Sequence, residues 1–147
     1  MRKSLMLALP IGLALLGSTF LATGRDAKAQ DKAAPPPITQ GAANIKRTPV
    51  QKFDVPGTNL ETVIAIADII PSVSIGAHTH PGIESAYLLE GDIVVKIAGQ
   101  PDRAVKPGES WQVPVGVVHD AKSGAKGAKV IVTYVVEKGK PLASPAK

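Results

Sequence analysis

The stretch His78-Thr79-His80-Pro81-Gly82-Ile83-Glu84 decides how this chain folds and where its chemistry lies. It holds two of the three histidines in the 147 residues, and the third, His119, lies far downstream. Residues two apart in a β-strand point to the same face, so His78 and His80 are expected to project together. Neutral imidazoles and a carboxylate are ligands that divalent transition metals accept. The pattern predicts one metal site, built from His78, His80, Glu84 and His119.

The residues on both sides of this stretch predict short strands separated by turns. Runs rich in Val, Ile and Ala alternate with Gly and Pro, and the predicted strands are 62–70, 84–90, 93–97, 110–113, 117–122 and 128–136. Gly91-Asp92 separates two of these strands and predicts a hairpin turn. Many short strands with turn residues between them are typical of an all-β sandwich or barrel.

The N-terminus has the pattern of an export signal. Arg2 and Lys3 precede an apolar stretch over 5–16, and small residues suited to cleavage end at Ala29 or at Gly24. We expect residues 1–29 to be removed, which predicts a periplasmic or secreted protein with no stable membrane association after cleavage. The alternative is an uncleaved anchor, because residues 4–24 carry no charge over a length that can span a bilayer.

The rest of the chain is expected to divide into three segments. Residues 30–54 include three consecutive prolines and show no apolar period, so they predict a flexible linker. Residues 55–137 are expected to form the barrel, and residues 138–147 an extended C-terminal tail. The chain has no cysteine, so the barrel must be stable without disulfides.

The charge pattern excludes one class of partner. The formal net charge is +5, but the lysines and arginines are scattered, with no basic run and no interleaved aromatic residues. Such a surface predicts no binding of nucleic acid. The expected partner is instead a small molecule, bound as ligand or substrate.

Other residues near the predicted site are expected to have structural roles. Aromatic residues are only 3% of the chain, and Trp111, Tyr87 and Tyr134 are each expected in the core rather than in a pocket wall. Asp120 should point away from the face that His119 uses. Glu90 is expected to face solvent and Asp92 to serve the turn. The predicted pocket walls are aliphatic: Ala86, Leu88, Ile97, Val113 and Val117.

The region 77–123 resembles the cupin superfamily. The first cupin motif, His-x-His-x3-4-Glu-x6-Gly, is matched by His78, His80, Glu84 and Gly91. The second motif, Gly-x5-Pro-x-Gly-x2-His-x3-Asn, is matched by Gly108, Pro114, Gly116 and His119. The chain departs from the family pattern at the final Asn, which is Ser123, and at an earlier glycine, which is Ser72.

The resemblance implies an all-β cupin fold, a double-stranded β-helix or jelly-roll barrel of two antiparallel sheets. It implies one divalent metal (Mn, Fe, Ni, Cu, Co or Zn) bound by His78, His80, Glu84 and His119. Among small single-domain cupins of type 2, the chain looks most like the quercetinase-like monocupins. Cupins often dimerise through edge strands, so a homodimer is a further expectation.

The expected function is that of an exported metal-binding monocupin. The enzymatic hypothesis is a metal-dependent, dioxygenase-type or isomerase-like reaction on a small enol, hydroxy-keto or phenolic compound. In it, Glu84 binds the metal and takes a substrate proton as the catalytic base. The alternative hypothesis is a non-catalytic module for metal-dependent binding of a small ligand, or for envelope stress. A third is a storage-type barrel with a vestigial site, which the four intact ligand types disfavour.

Overall fold

A computed structural model describes residues 43–146, and all of its regular secondary structure is β. Eight strands follow in chain order: β1 (Ile45–Asp54), β2 (Leu60–Ile69), β3 (His78–Thr79), β4 (Gly82–Ile97), β5 (Arg103–Val105), β6 (Ser110–Val113), β7 (His119–Glu137) and β8 (Ser144–Pro145). They form one curled antiparallel sheet, which agrees with the predicted all-β cupin barrel. Within residues 43–146, no helix has the length and apolar character that crossing a bilayer requires.

The pairing of β4 with β7 is the longest in the fold. Its antiparallel register runs from Gly82 opposite Val136 to Ile97 opposite His119. The other strands are added to these two: β2 pairs with the second half of β7, and β1 pairs with β2. On the other side, β5 and β6 pair with β4, while the short β3 lies between the start of β7 and β8.

The predicted hairpin at Gly91-Asp92 is wrong, because the chain does not reverse there. Residues on both sides of Gly91 pair with the same strand, β7, so 84–90 and 93–97 are two halves of β4. The register shifts between Leu88 and Glu90 and again between Gly91 and Ile93. Gly91 has φ +82°, a left-handed conformation that suits a bulge as well as a turn. The single strand β7 likewise contains the predicted strand 128–136 and residues 119–122 of the predicted strand 117–122, whose first two residues precede β7.

The predicted linker is wrong over its last ten residues. Ile45–Asp54 form β1, which pairs with β2 along its whole length, from Ile45 opposite Ile69 to Asp54 opposite Glu61. The sequence of β1 does not alternate between apolar and polar residues, because Arg47 and Lys52 occupy inward positions. They stand opposite Ala67 and Val63 on the inner face of β2. The predicted signal peptide at 1–29 and the remainder of the linker, up to residue 42, lie outside the described residues.

The core fills the space inside the curled sheet. The largest side chains that are fully buried are Leu88, Ile93, Val95, Val105, Val113, Val130 and Val136. Trp111 and Tyr134 are also buried, at 9% and 2% exposure. The prediction that Tyr87 is in the core is wrong, since this side chain is 42% exposed. Strand alternation explains the difference, because Ala86 and Leu88 point inward and Tyr87 between them must point outward.

The crossing of β4 and β7 at Gly91 provides a test of this fold. A methyl group at Gly91 would overlap the backbone carbonyl of Gly127, whereas a methyl group at Gly99 would meet nothing within 4 Å. The two glycines have nearly equal φ angles, +82° and +80°. We therefore expect Gly99→Ala to lose only the cost of left-handed strain, about 1 kcal/mol. Gly91→Ala should lose about 3 kcal/mol, because the two strands must also separate.

Urea unfolding followed by circular dichroism measures both losses. Gly99→Ala is the matched control, since it carries the same backbone strain without the collision. Equal losses of unfolding free energy at the two positions would contradict a close crossing of β4 and β7.

Candidate metal centre

The four side chains predicted to share a site do come together. His78 and His80 lie at β3, Glu84 follows in β4, and His119 opens β7 directly opposite His78. Their potential ligand atoms all lie within 4.8 Å of one another. His80, Glu84 and His119 are buried, and His78 is partly buried.

The curl of the β4–β7 ladder makes this meeting possible. Glu84 stands near one end of the ladder, opposite Tyr134, and His119 stands at the other end, opposite Ile97. In a straight ladder these two ends would be about 40 Å apart, at roughly 3.3 Å per residue. Glu84 Oε2 and His119 Nε2 are instead 3.5 Å apart.

Backbone carbonyls fix the orientation of all three imidazoles. His78 Nδ1 lies 2.8 Å from Gly76 O, His80 Nδ1 lies 2.5 Å from Leu142 O, and His119 Nδ1 lies 3.0 Å from Val117 O. A carbonyl only accepts hydrogen bonds, so each Nδ1 must carry the proton and donate. Each neutral ring is then left with a lone pair on Nε2, which is the arrangement that metal-binding histidines use.

The contacts of Glu84 call for a cation in the centre of the group. Glu84 Oε2 lies 2.8 Å from His80 Nε2 and 3.5 Å from His119 Nε2. Both Nε2 atoms are buried, and neither has a partner in hydrogen-bond geometry. Lone pairs of neutral imidazoles facing a carboxylate at these distances repel it unless a proton or metal ion lies between them. These residues therefore fit a divalent metal ion and could hold one.

Burial and mutual contact shift the pKa values of the group in different directions. Burial lowers the pKa of His78 to about 4, which keeps this imidazole neutral at pH 7. Burial alone would raise the pKa of Glu84, but contacts with His119 and His80 outweigh it and lower the pKa to about 2. Burial likewise opposes the charge on His119, but the Glu84 carboxylate outweighs it and raises the pKa of His119. Because the Glu84 carboxylate raises the pKa of His119, metal binding at this ring competes with its protonation.

The four potential metal ligands, His78, His80, Glu84 and His119, are called the ligand group below. Asp120 lies outside this group but supports it. Its carboxylate accepts a hydrogen bond from Ser74 Oγ at 2.6 Å and another from the Gly76 amide at 3.0 Å. Gly76 in turn supplies the carbonyl that holds His78. Asp120 therefore fixes the loop that orients His78. This role could not be predicted from its position next to His119 in the sequence.

A narrow cavity of about 30 Å³ adjoins the ligand group. His78, Glu84 and His119 form part of its lining, and Trp111 and Tyr134 form another part. Burial raises the pKa of the Tyr134 hydroxyl well above its usual range, so this group remains a hydrogen-bond donor. The five aliphatic residues predicted as pocket walls do not line this cavity. Its apolar lining comes from other strand positions: Ile45, Ala67, Ile69, Ile75, Ile93, Val95, Ala121, Val130 and Val132.

The C-terminal arm, defined as residues 141–146, packs on β3, which contains His78 and directly precedes His80. Thr79 pairs with Ser144 and His78 with Pro145, and the Ala146 amide donates to Ala77 O at 3.0 Å. Leu142, in the same arm, supplies the carbonyl that accepts the His80 Nδ1–H bond. The predicted tail is thus extended, but it is also one wall of the site.

The comparisons with known proteins show the family of this region. The model of the cupin domain matches residues 65–136, which include all four residues of the ligand group. Residues 65–136 therefore belong to the cupin superfamily. No curated protein matches the sequence of the chain.

Solved structures share the fold at low sequence identity. A cupin superfamily protein from Desulfitobacterium hafniense is 14% identical, with a TM-score of 0.55 over 65% of this chain and 80% of the other. The DMSP lyase DddQ from Ruegeria pomeroyi is 18% identical, with a TM-score of 0.52 over 60% of this chain and 43% of the lyase. Oxalate decarboxylase from Bacillus subtilis is 22% identical, with a TM-score of 0.52 over 59% of this chain and 24% of the enzyme. This chain spans less than half of both enzymes, and these likenesses show the fold alone.

Removal of the C-terminal arm tests whether the arm orients His80. In a chain that ends at Lys140, the His80 Nδ1–H loses its acceptor, and both neutral tautomers become accessible. We expect the affinity for zinc to fall about 10- to 100-fold, as when other partners of ligating histidines are lost. Competition with a chelator measures the affinity, and imidazole ¹⁵N NMR of the metal-free protein reports the tautomer.

The imidazole of His119 is the internal control, because its acceptor, Val117 O, is not part of the arm. Ala146→Pro provides a milder variant that removes only the amide bonded to Ala77 O. An unchanged His80 tautomer together with unchanged zinc affinity would show that the arm does not position this ligand.

Proposed function

We propose that this chain is an exported, metal-dependent cupin enzyme of the oxygenase or isomerase kind. Its substrate would be a small enol, hydroxy-keto or phenolic compound, and Glu84 would bind the metal and take a substrate proton. The observation that carries this proposal is the convergence of three imidazoles and one carboxylate beside a narrow apolar cavity, which His78, Glu84 and His119 help to line. A purely structural polar cluster would have its lone pairs satisfied by protein donors.

The donor set supports metal-assisted chemistry on an oxygen-bearing substrate. Three imidazoles and one carboxylate leave open coordination positions on an octahedral ion. A divalent metal bound there would polarise a carbonyl or hydroxyl oxygen and lower the pKa of the substrate proton next to it. The side chains described above would supply the remaining steps: orienting the substrate, excluding water and accepting the proton.

Glu84 is the residue best placed to accept that proton. Both of its contacts with histidines involve Oε2. The second oxygen of the carboxylate, Oε1, therefore remains for a substrate proton. The low pKa of Glu84 keeps the carboxylate ionised at neutral pH.

The cavity favours the small end of the proposed substrate range. Its narrow volume suits a hydroxy-keto or enol group better than a polycyclic phenol. Trp111, Ile93 and Val130 line it with apolar surface. Such walls exclude water from a reactive enolate and strengthen its interactions with fixed charges.

The proposal predicts that metal and turnover depend on the same group. Wild-type protein loaded with Mn, Fe, Ni, Cu, Co or Zn should retain about one equivalent per chain, and His80→Ala should retain almost none. Glu84→Gln should lower turnover per bound metal by roughly 10²-fold or more, because the base is lost. Oxygen consumption, and deuterium exchange of hydroxyacetone followed by NMR, measure the two reaction types.

Glu90→Gln is the matched control, because Glu90 is an exposed carboxylate on the same strand and lies outside the ligand group. It should leave both metal content and turnover unchanged. Full activity of the metal-free protein would contradict the enzyme proposal. Binding of substrates without turnover at any metal would identify the non-catalytic binding module instead.

Export is supported by the charge and apolar pattern of residues 1–29. When the full chain is expressed in a bacterial host, we expect recovery from the periplasm, with a new N-terminus at Gln30 or at Arg25. Intact mass spectrometry of each cell fraction distinguishes the two cleavage sites. A full-length chain retained in the membrane fraction would support the uncleaved anchor.

A further inference from the structure

Arg47 is a charged side chain on the inner face of the barrel. It stands opposite Ala67 in β2, and Ala67 stands opposite Val130 in β7. Ala67 and Val130 are 3% and 1% exposed. Directly opposed residues in an antiparallel sheet point to the same side, so the Arg47 side chain is directed inward.

The inner face of β1 carries two cations, Arg47 and Lys52, and among the described residues only Lys52 has a carboxylate partner. Lys52 forms an ion pair with Glu61 at 2.8 Å. Within residues 43–146, no carboxylate lies within 4.0 Å of the Arg47 guanidinium. A partly buried guanidinium without an anion next to it is costly, and the cost is relieved when an anion binds.

Arg47 also lines the same cavity as the ligand group. Its neighbours in the lining include Glu84, His78 and Tyr134. Glu84 is not its ion-pair partner, because the Glu84 ion pairs within 4.0 Å are with His80 and His119. The cavity thus has a metal-binding group on one part of its wall and a guanidinium on another.

We propose that Arg47 binds the carboxylate of a small acidic substrate whose enol or keto oxygen lies at the metal-binding group. The inference rests on the proposed function and narrows its substrate class to enolisable carboxylic acids. Arginine suits this role because its planar fork can donate two parallel hydrogen bonds to one carboxylate. The buried Tyr134 hydroxyl in the same lining is available as a further donor.

The charges of the cavity support this substrate class. A divalent ion and the Glu84 carboxylate leave one positive charge, and Arg47 adds a second. The substrate carboxylate brings one negative charge to Arg47, and transfer of a substrate proton to Glu84 forms the enolate without changing the total charge of the cavity. A neutral hydroxy-ketone would leave the Arg47 charge without compensation in an apolar cavity.

The test compares acids with their own methyl esters. Zinc-loaded wild-type protein is titrated by calorimetry with pyruvate and with acetoacetate, and then with the methyl ester of each. The acids should bind more tightly than the esters. Arg47→Met should weaken the acids by about 10- to 100-fold, which is the range for losing a charged hydrogen-bond donor, and should change the esters by less than about twofold. Arg47→Lys should fall between the two, because it keeps the charge and loses the fork.

Lys46→Met is the matched control, because it removes the same charge from the neighbouring, exposed position of β1. It should leave the ratio of acid to ester affinities unchanged. Zinc content is measured first, and failure to load zinc would contradict the proposed function itself. Loaded protein that binds acids no better than esters, or Arg47→Met that keeps the wild-type ratio, would overturn the role of Arg47 alone.

Discussion

The bend in the paired strands β4 and β7 is the constraint on which the site depends. Glu84 and His119 lie near opposite ends of one antiparallel ladder, so no straight pairing could bring them together. The bend occurs where Gly91 and Gly127 approach so closely that a methyl group at Gly91 has no room. The register shifts on either side of Gly91 are what such a bend requires, since a bulge increases local twist and re-aims the strand.

Hydrogen bonds to backbone carbonyls fix the orientation of the three imidazoles. Three backbone carbonyls fix the three imidazoles in the tautomer that leaves Nε2 free, and each carbonyl belongs to a different segment. Gly76 is held by Asp120, Val117 lies two residues before its histidine, and Leu142 belongs to the C-terminal arm. Two of these carbonyls lie two residues before their own histidine, and only the His80 tautomer depends on a distant segment, the C-terminal arm.

Sequence patterns predicted that the four residues of the ligand group come together, because strand alternation and motif spacing can be recognised from the side chains alone. His78 and His80 share a face because of the two-residue period of a strand, and His119 is the only other imidazole in the chain.

The errors of prediction have physical causes as well. Gly91-Asp92 indicates a turn, yet a left-handed glycine serves a bulge equally well. The strand β1 was missed because Arg47 and Lys52 occupy inward positions where apolar residues are expected. The role of Leu142 had no sequence signal at all, because a backbone carbonyl is common to every residue.

The cupin family match covers the ligand group but not two other residues that contact the site or its cavity, Arg47 and Leu142. Residues 65–136 contain the complete ligand group, so the cupin domain by itself accounts for a site that could hold a metal. Arg47 and Leu142 lie outside that range: Arg47 lines the cavity from β1, and Leu142, in the C-terminal arm just before β8, contacts His80. A shared domain with variable flanking strands can keep one metal chemistry while its substrate contacts change. On the proposal that Arg47 binds a carboxylate, β1 narrows the substrate class, since the ligand group alone suits many oxygen-bearing compounds and the Arg47 charge suits few.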